Sequence, residues 1–254
     1  MKNFSFNRFC NVMHHDLTEH RRTYLTIAGV LIITFTLTHL LGYLIEETPD
    51  RFVVQLAFIG LTQIIGANYS LSSIYAHIDT KEHRIENFML PASNFEKALV
   101  RHVLAIIGFN LIFIASYLCS ELFNALYVLA LEGISEVPQH SLLLNWSNAL
   151  STSQLWLGLN EILPSIQILF ACVHIFTSSL FVLASAYFRK HAFVKTMLIM
   201  FIINPMTLTA VPGKLFLDSA IHSELTVCYS LFILTLAGTT VYFAYRHYCR
   251  IQVI

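Results

Sequence analysis

The chain has 254 residues, of which 56% are hydrophobic and only 12% charged, with 15 basic and 15 acidic side chains, and its mean hydropathy is +0.64. A soluble domain carries roughly 25% charged residues, so there is too little charge here to wet a soluble surface of this size. The even charge balance argues against a nucleic-acid partner, and the scattered cysteines (Cys10, Cys119, Cys172, Cys228, Cys249) have neither a disulfide framework nor zinc-motif spacing.

Residues 1–23 are predicted to form a cytoplasmic amphipathic helix. Phe6, Phe9, Met13 and Leu17 recur at three- and four-residue steps and give it one apolar face. Its stretch "HHDLTEH" puts His15 and Glu19, and also Asp16 and His20, one turn apart. Imidazole and carboxylate both bind zinc, but there is no H-E-x-x-H motif and no other helix supplies a matched ligand. The reading is therefore a helix held at the headgroups by Arg21 and Arg22, with no metal site assigned.

Six runs free of Asp, Glu, Lys and Arg follow: Tyr24–Ile45, Phe52–Ala76, His102–Leu118, Leu163–Phe188, Thr196–Val211 and Leu225–Tyr245. A membrane span needs about 20 mostly apolar residues. The third run reaches that length by extending along "ELFNALYVLA", and the fifth by starting at Ala192 with Lys195 snorkelling to the interface. Free backbone groups have no partner in lipid, so each run is expected to be helical. The expectation is an all-α polytopic protein, one transmembrane domain over 1–254 with six spans. The first run is longer than a signal-peptide core and no small-x-small cleavage site follows it, so it is expected to stay as a span.

Thirteen of the 15 basic residues fall on one side of this arrangement, with only Arg51 and Lys214 on the other. The positive-inside rule puts that side, with both termini, in the cytoplasm, which predicts a multi-pass protein of the inner (cytoplasmic) membrane. The connection Cys119–Ile162 then faces outward; it has no Lys or Arg and holds both tryptophans, Trp146 and Trp156. Two readings stand for it: helical pieces against the outer leaflet, or extensions of the flanking helices.

Polar residues inside the runs either pack helices together or line a pathway. Gln55, Thr62, Gly66, Tyr69 and Ser73 fall roughly on one face of the second run, with Gly66 and Ser70 as a small-xxx-small pair. His174 and Ser178 are one turn apart in the fourth run. Asn204 precedes Pro205 in the fifth, where a helix break exposes backbone to a cavity. No run core holds a charge, which weighs against an ion-coupled carrier. No filter loop, catalytic motif or phosphate loop is present, so the chain is not expected to be an enzyme or to carry a cofactor.

The segment 77–101 contains "RIENFMLPASNFEKALVRH". Ile85, Phe88 and Met89 recur at helical spacing, flanked by Arg84 and Glu86. Pro91 then rejects further helix, and Ser93 with Glu96 forms a capping box for a new one. Exposed apolar residues at this spacing mark a face that docks on a partner or on lipid.

Here the chain resembles the membrane subunits of ABC transporters of the second exporter type, six-helix permeases of similar length. Versions in Bacteroidetes-like bacteria carry an "LPAS-x-x-EK" element after the second helix, matched by Leu90, Pro91, Ala92, Ser93, Glu96 and Lys97. The amphipathic start and the basic end "YRHYCRIQVI" are also similar. The resemblance implies that Arg84, Glu86, Phe88, Met89, Pro91, Ser93, Glu96 and Lys97 contact a separate ABC ATPase subunit, which would bind ATP and Mg. It further implies a second permease copy or a related chain, and a hydrophobic or amphiphilic cargo. In such a dimer, Gln55, Thr62, Gly66, Tyr69, His174 and Asn204 are candidates for the pathway or the helix interface. The long outer connection departs from the family, which more often elaborates the one between helices five and six. The competing class is a non-transport membrane protein such as a sensor, immunity or assembly factor.

Overall fold

The computed structural model describes residues 4–42, 48–75, 85, 89–131, 141, 164–188, 190–210 and 223–251, and among them every regular element is helical, with no strand. In chain order these are α1 (Phe6–Glu19), α2 (Arg21–Gly42), α3 (Thr48–Ser72), α4 (Asn94–Val103), a π-helical turn (Leu104–Gly108), α5 (Phe109–Leu131), α6 (Pro164–Tyr187), α7 (Ala192–Ala210) and α8 (Ser223–Ile251). The described residues of each of the six apolar runs fall mainly on helix. Three stretches, Arg21–Gly42, Phe52–Ser72 and Asn94–Leu131, are long and apolar enough to cross a membrane, which marks a membrane protein. At 1.5 Å per residue the 22 residues of α2 reach about 33 Å, enough for a hydrocarbon layer of about 30 Å. Shorter apolar stretches run through Ala171–Tyr187 and Ala192–Ile202.

The third run does extend: α5 carries on through Glu121 and Asn124 to Leu131. The fifth helix does begin at Ala192. His191, just ahead of it, takes a left-handed backbone (φ 56°) that turns the chain between α6 and α7. The Lys195 ammonium sits over the Phe188 ring, 5.3 Å from its centroid, so its charge is held at the helix end.

The chain divides into two compact units: Met1–His14, Ala67–Ile106 and Ile162–Ile254 form one, His15–Gly66 and Ile107–Glu161 the other. In the first, α6 packs closely on α8. Small buried residues (Ser179 and Ala186 on α6, Ala237 and Ala244 on α8) let two backbones approach, as lipid-embedded helices require. The Thr240 hydroxyl donates to Ser179 Oγ at 2.6 Å, and Ser179 donates to the Phe176 carbonyl. Leu71, Tyr75, Phe181, Val182 and Tyr248 complete this core.

In the second unit, α2 packs on α5. Phe35 is the centre of that contact, fully buried, with edge-on contacts to Phe113 (5.1 Å) and Tyr117 (5.6 Å). Gln63 Nε2 donates to Asn110 Oδ1 at 2.7 Å. Gly66 lies under the Phe109 ring: a Cβ there would come within 2.5 Å of Phe109 Cζ, whereas one at Gly238 would meet nothing within 4 Å.

Gly66→Leu is therefore expected to lower thermal stability by about 1–3 kcal/mol through overpacking, and Gly238→Leu to leave it nearly unchanged. Thermal unfolding of both variants in detergent, followed by circular dichroism, checks the contrast.

Candidate functional site

Two polar clusters stand out, one in each unit. The first grows from the turn ahead of α4. Pro91 interrupts the helix, the Ala92 N–H closes onto the Leu90 carbonyl at 2.8 Å, and Ser93 takes an extended backbone (φ −70°, ψ 154°) as N-cap. Ser93 Oγ accepts from the Glu96 N–H at 3.2 Å, and Glu96 Oε2 accepts from the Ser93 N–H at 2.7 Å. This is the capping box read from the sequence.

The other carboxylate oxygen of Glu96 reaches much further along the chain. Oε1 accepts from the Ser5 N–H at 2.7 Å and from Arg8 Nη2 at 3.0 Å. Glu96 is fully buried by these partners. The Arg8 guanidinium, with the Ser93 and Ser5 donors, holds its carboxyl well below the usual carboxylate range despite the burial. Phe9, Val12 and Met13 of α1 pack against Val100, Leu104 and Ala92, so part of the apolar face of α1 is covered by α4. Phe6 stays exposed. One carboxylate thus caps α4 and fixes the N-terminal helix to it.

Of the segment expected to meet an ATPase, Met89 is 80% exposed, and Ile85 and Phe95 are also exposed. Pro91 is exposed and Ser93 half-buried. Lys97 and Arg101 are buried, and the Arg101 guanidinium lies 5.8 Å from the centroid of Tyr248, on which Tyr75 stacks at 4.9 Å. Arg84, Glu86 and Phe88 lie outside the described residues, as does most of Cys119–Ile162.

The candidate pathway residues do not share one environment. Gln55 is buried in the second unit. Thr62 donates back to the Phe58 carbonyl at 2.8 Å. Tyr69 is half-exposed with its ring edge-on to Phe193, 5.6 Å away. His174 is exposed, and the side chain of Asn204 lies outside the description. Ser70 donates to the Ala105 carbonyl at 3.0 Å, in the π-helical turn.

The second cluster lies on the extension of the third run along "ELFNALYVLA", whose first residue, Glu121, has no role assigned from the sequence. Glu121 lies inside α5 and is only 6% exposed. The Tyr117 hydroxyl donates to its Oε1 at 2.6 Å and Ser141 Oγ to its Oε2 at 3.3 Å. His39 of α2 is buried beside them, its ring 6.3 Å from that of Tyr117 and within reach of the charge of Glu121. Asn124, one turn beyond Glu121, is buried too. Glu121 is about 30 Å along the helix from Arg101, and His39 about 25 Å from Arg22. A carboxylate and an imidazole are among the side chains most expensive to keep inside a membrane-spanning helix without purpose. The signal available in the sequence was the polar series Tyr117, Ser120, Glu121 and Asn124 at helical spacing, opposite His39.

On α1, His15 Nδ1 lies 3.6 Å from Oε2 of the exposed Glu19 and 4.0 Å from Oδ1 of the buried Asp16. Ligand atoms of the three lie within 4.8 Å of one another. All three come from one helix, as the sequence spacing implied.

Comparison with protein-family models, with curated proteins and with solved structures found no match.

Replacing Glu96 with Ala removes the acceptor for three donors, a cost of about 1–3 kcal/mol for each group left buried and unpaired. Ser93→Ala removes one cap worth about 1 kcal/mol. Amide exchange over residues 6–14 is therefore expected to rise strongly in Glu96→Ala and slightly in Ser93→Ala. Equal exchange in the two variants would contradict the anchoring role.

Proposed function

We propose that this chain is the permease subunit of an ATP-driven transporter, powered by a separate ATPase subunit that binds ATP and Mg. The reading has six spans, with both termini and the segment 77–101 in the cytoplasm of a cell whose inner membrane holds the protein. Two copies, or this chain and a related one, form the path. The cargo is hydrophobic or amphiphilic, and the direction is export.

One observation carries this reading. Met89, Ile85 and Phe95 are exposed apolar side chains around a turn that the capping box and the α1–α4 contact hold stiff. They stand next to charged residues and outside the apolar runs. A coupling element has to behave this way, because a motor that pushes on a loose loop moves only the loop. Fixing the turn to two helices through Glu96 transmits a push at Met89 into the long helix Asn94–Leu131.

Topology is the first check. In a cysteine-free background, Met89→Cys should react with a membrane-impermeant maleimide only after the cells are opened, and Leu131→Cys should react from outside. The opposite pattern overturns the orientation and with it the coupling role.

Docking is the second. Burying one large apolar side chain contributes about 1.5–3 kcal/mol. Met89→Asp should therefore weaken retention of the ATPase by about ten- to a hundredfold. Folding should stay intact, since the side chain touches solvent in the free subunit. Normal ATPase retention by a folded Met89→Asp chain removes this segment as the coupling element.

A further inference from the structure

A groove of about 500 Å³ runs between α2 and α5 in the second unit. Its rim is apolar and open: Ile33, Leu37, Leu40 and Phe123 are all exposed on helices that carry lipid-facing surface. Polarity changes along its length. Ile32 and Ile33 line one end; His39 and Asn124 line the other, about 10 Å further along the helix. Thr36, between them, spends its hydroxyl on the Ile32 carbonyl at 2.8 Å, so the middle of the groove is apolar in effect. His39 is only 3% exposed, and its Nδ1 has no hydrogen-bond partner within the protein. A buried polar atom in that state is costly unless something else satisfies it.

Chain at one end and hydrogen-bonding head at the other is the layout of a membrane amphiphile. The head end lies towards the remote end of the apolar layer, as it does for a lipid of that leaflet. We propose that this groove holds one lipid of the leaflet remote from Arg21 and Arg22, in fixed orientation, with its tail along Ile32 and Ile33 and its head hydrogen-bonded at His39 and Asn124. A water-soluble ligand would have to cross the apolar rim to enter; a lipid enters sideways. The site needs only this chain in a bilayer, so it stands or falls apart from the transport reading.

The test uses the purified full chain in phosphatidylcholine nanodiscs, doped with a long-chain alcohol that carries a diazirine on its chain about 10 Å from the hydroxyl, the distance from His39 to Ile32. After illumination, adducts mapped by mass spectrometry should concentrate on Ile32 and Ile33, in excess over the lipid-facing Leu198 and Phe201 of α7. Thr36→Trp, which fills the groove, should abolish the excess. A diazirine alkane without the hydroxyl should show none. If Thr36→Trp does not fold, the head contact is read alone: His39→Leu should weaken occupancy by about tenfold, and His39→Gln, which keeps a hydrogen-bonding group, should largely retain it. Adducts spread evenly over α2, α5 and α7, or unchanged by these substitutions, mean ordinary surrounding lipid and overturn the proposal.

Discussion

A lipid interior offers no water, so every polar group carried into it must find its partner inside the protein. The helices satisfy their own backbones, and most of their hydroxyls fold back in the same way: Thr26, Thr34, Thr36 and Thr38 of α2 each donate to the carbonyl four residues earlier. The longer polar side chains reach between helices instead. Gln63 with Asn110 joins two helices of the second unit, and Ser178 with Asn68 and Thr240 with Ser179 do so in the first. These bonds fix which helix faces meet. Apolar surface alone cannot do so in lipid, where tails are as apolar as leucine.

Two carboxylates show what that constraint does at its limit. Glu96, at the charged start of α4, is buried with three donors on its carboxylate, the Ser93 N–H, the Ser5 N–H and the Arg8 guanidinium, while its own N–H donates to Ser93 Oγ. Its burial is structural, and it stiffens the turn that carries Met89. Glu121 sits deeper in the apolar helix with a tyrosine, a serine and a neighbouring histidine. The buried His39 Nδ1 of the neighbouring helix has no hydrogen-bond partner within the protein.

Much of the helical layout was legible in the sequence, because the absence of charge over a span's length has few other causes. The Ser93–Glu96 cap was legible too, since its signal lies within four residues. The second task of Glu96 was not: Ser5 and Arg8 are about ninety residues away, and nothing local in "NFEKALVRH" distinguishes a cap that anchors another helix. The sequence extends the third run through Glu121 but does not show what satisfies it there: Tyr117 lies one turn back on the same helix, and Ser141 is brought from twenty residues further on. The face Gln55–Thr62–Gly66–Tyr69 read as one stripe, yet Gln55 is buried, Gly66 lies under Phe109 and Tyr69 is half-exposed. A helical wheel cannot tell which neighbour covers which part of a long helix.

The central claim is that this chain works as one part of a motor-driven assembly. The most direct measurement is the mass of the complex released from native membranes in a mild detergent and weighed intact by native mass spectrometry. The account predicts two permease chains with two ATPase chains, the ATPases leaving first when the complex is activated. A single chain of 28.9 kDa accompanied only by lipid, across a range of gentle detergents, would contradict it.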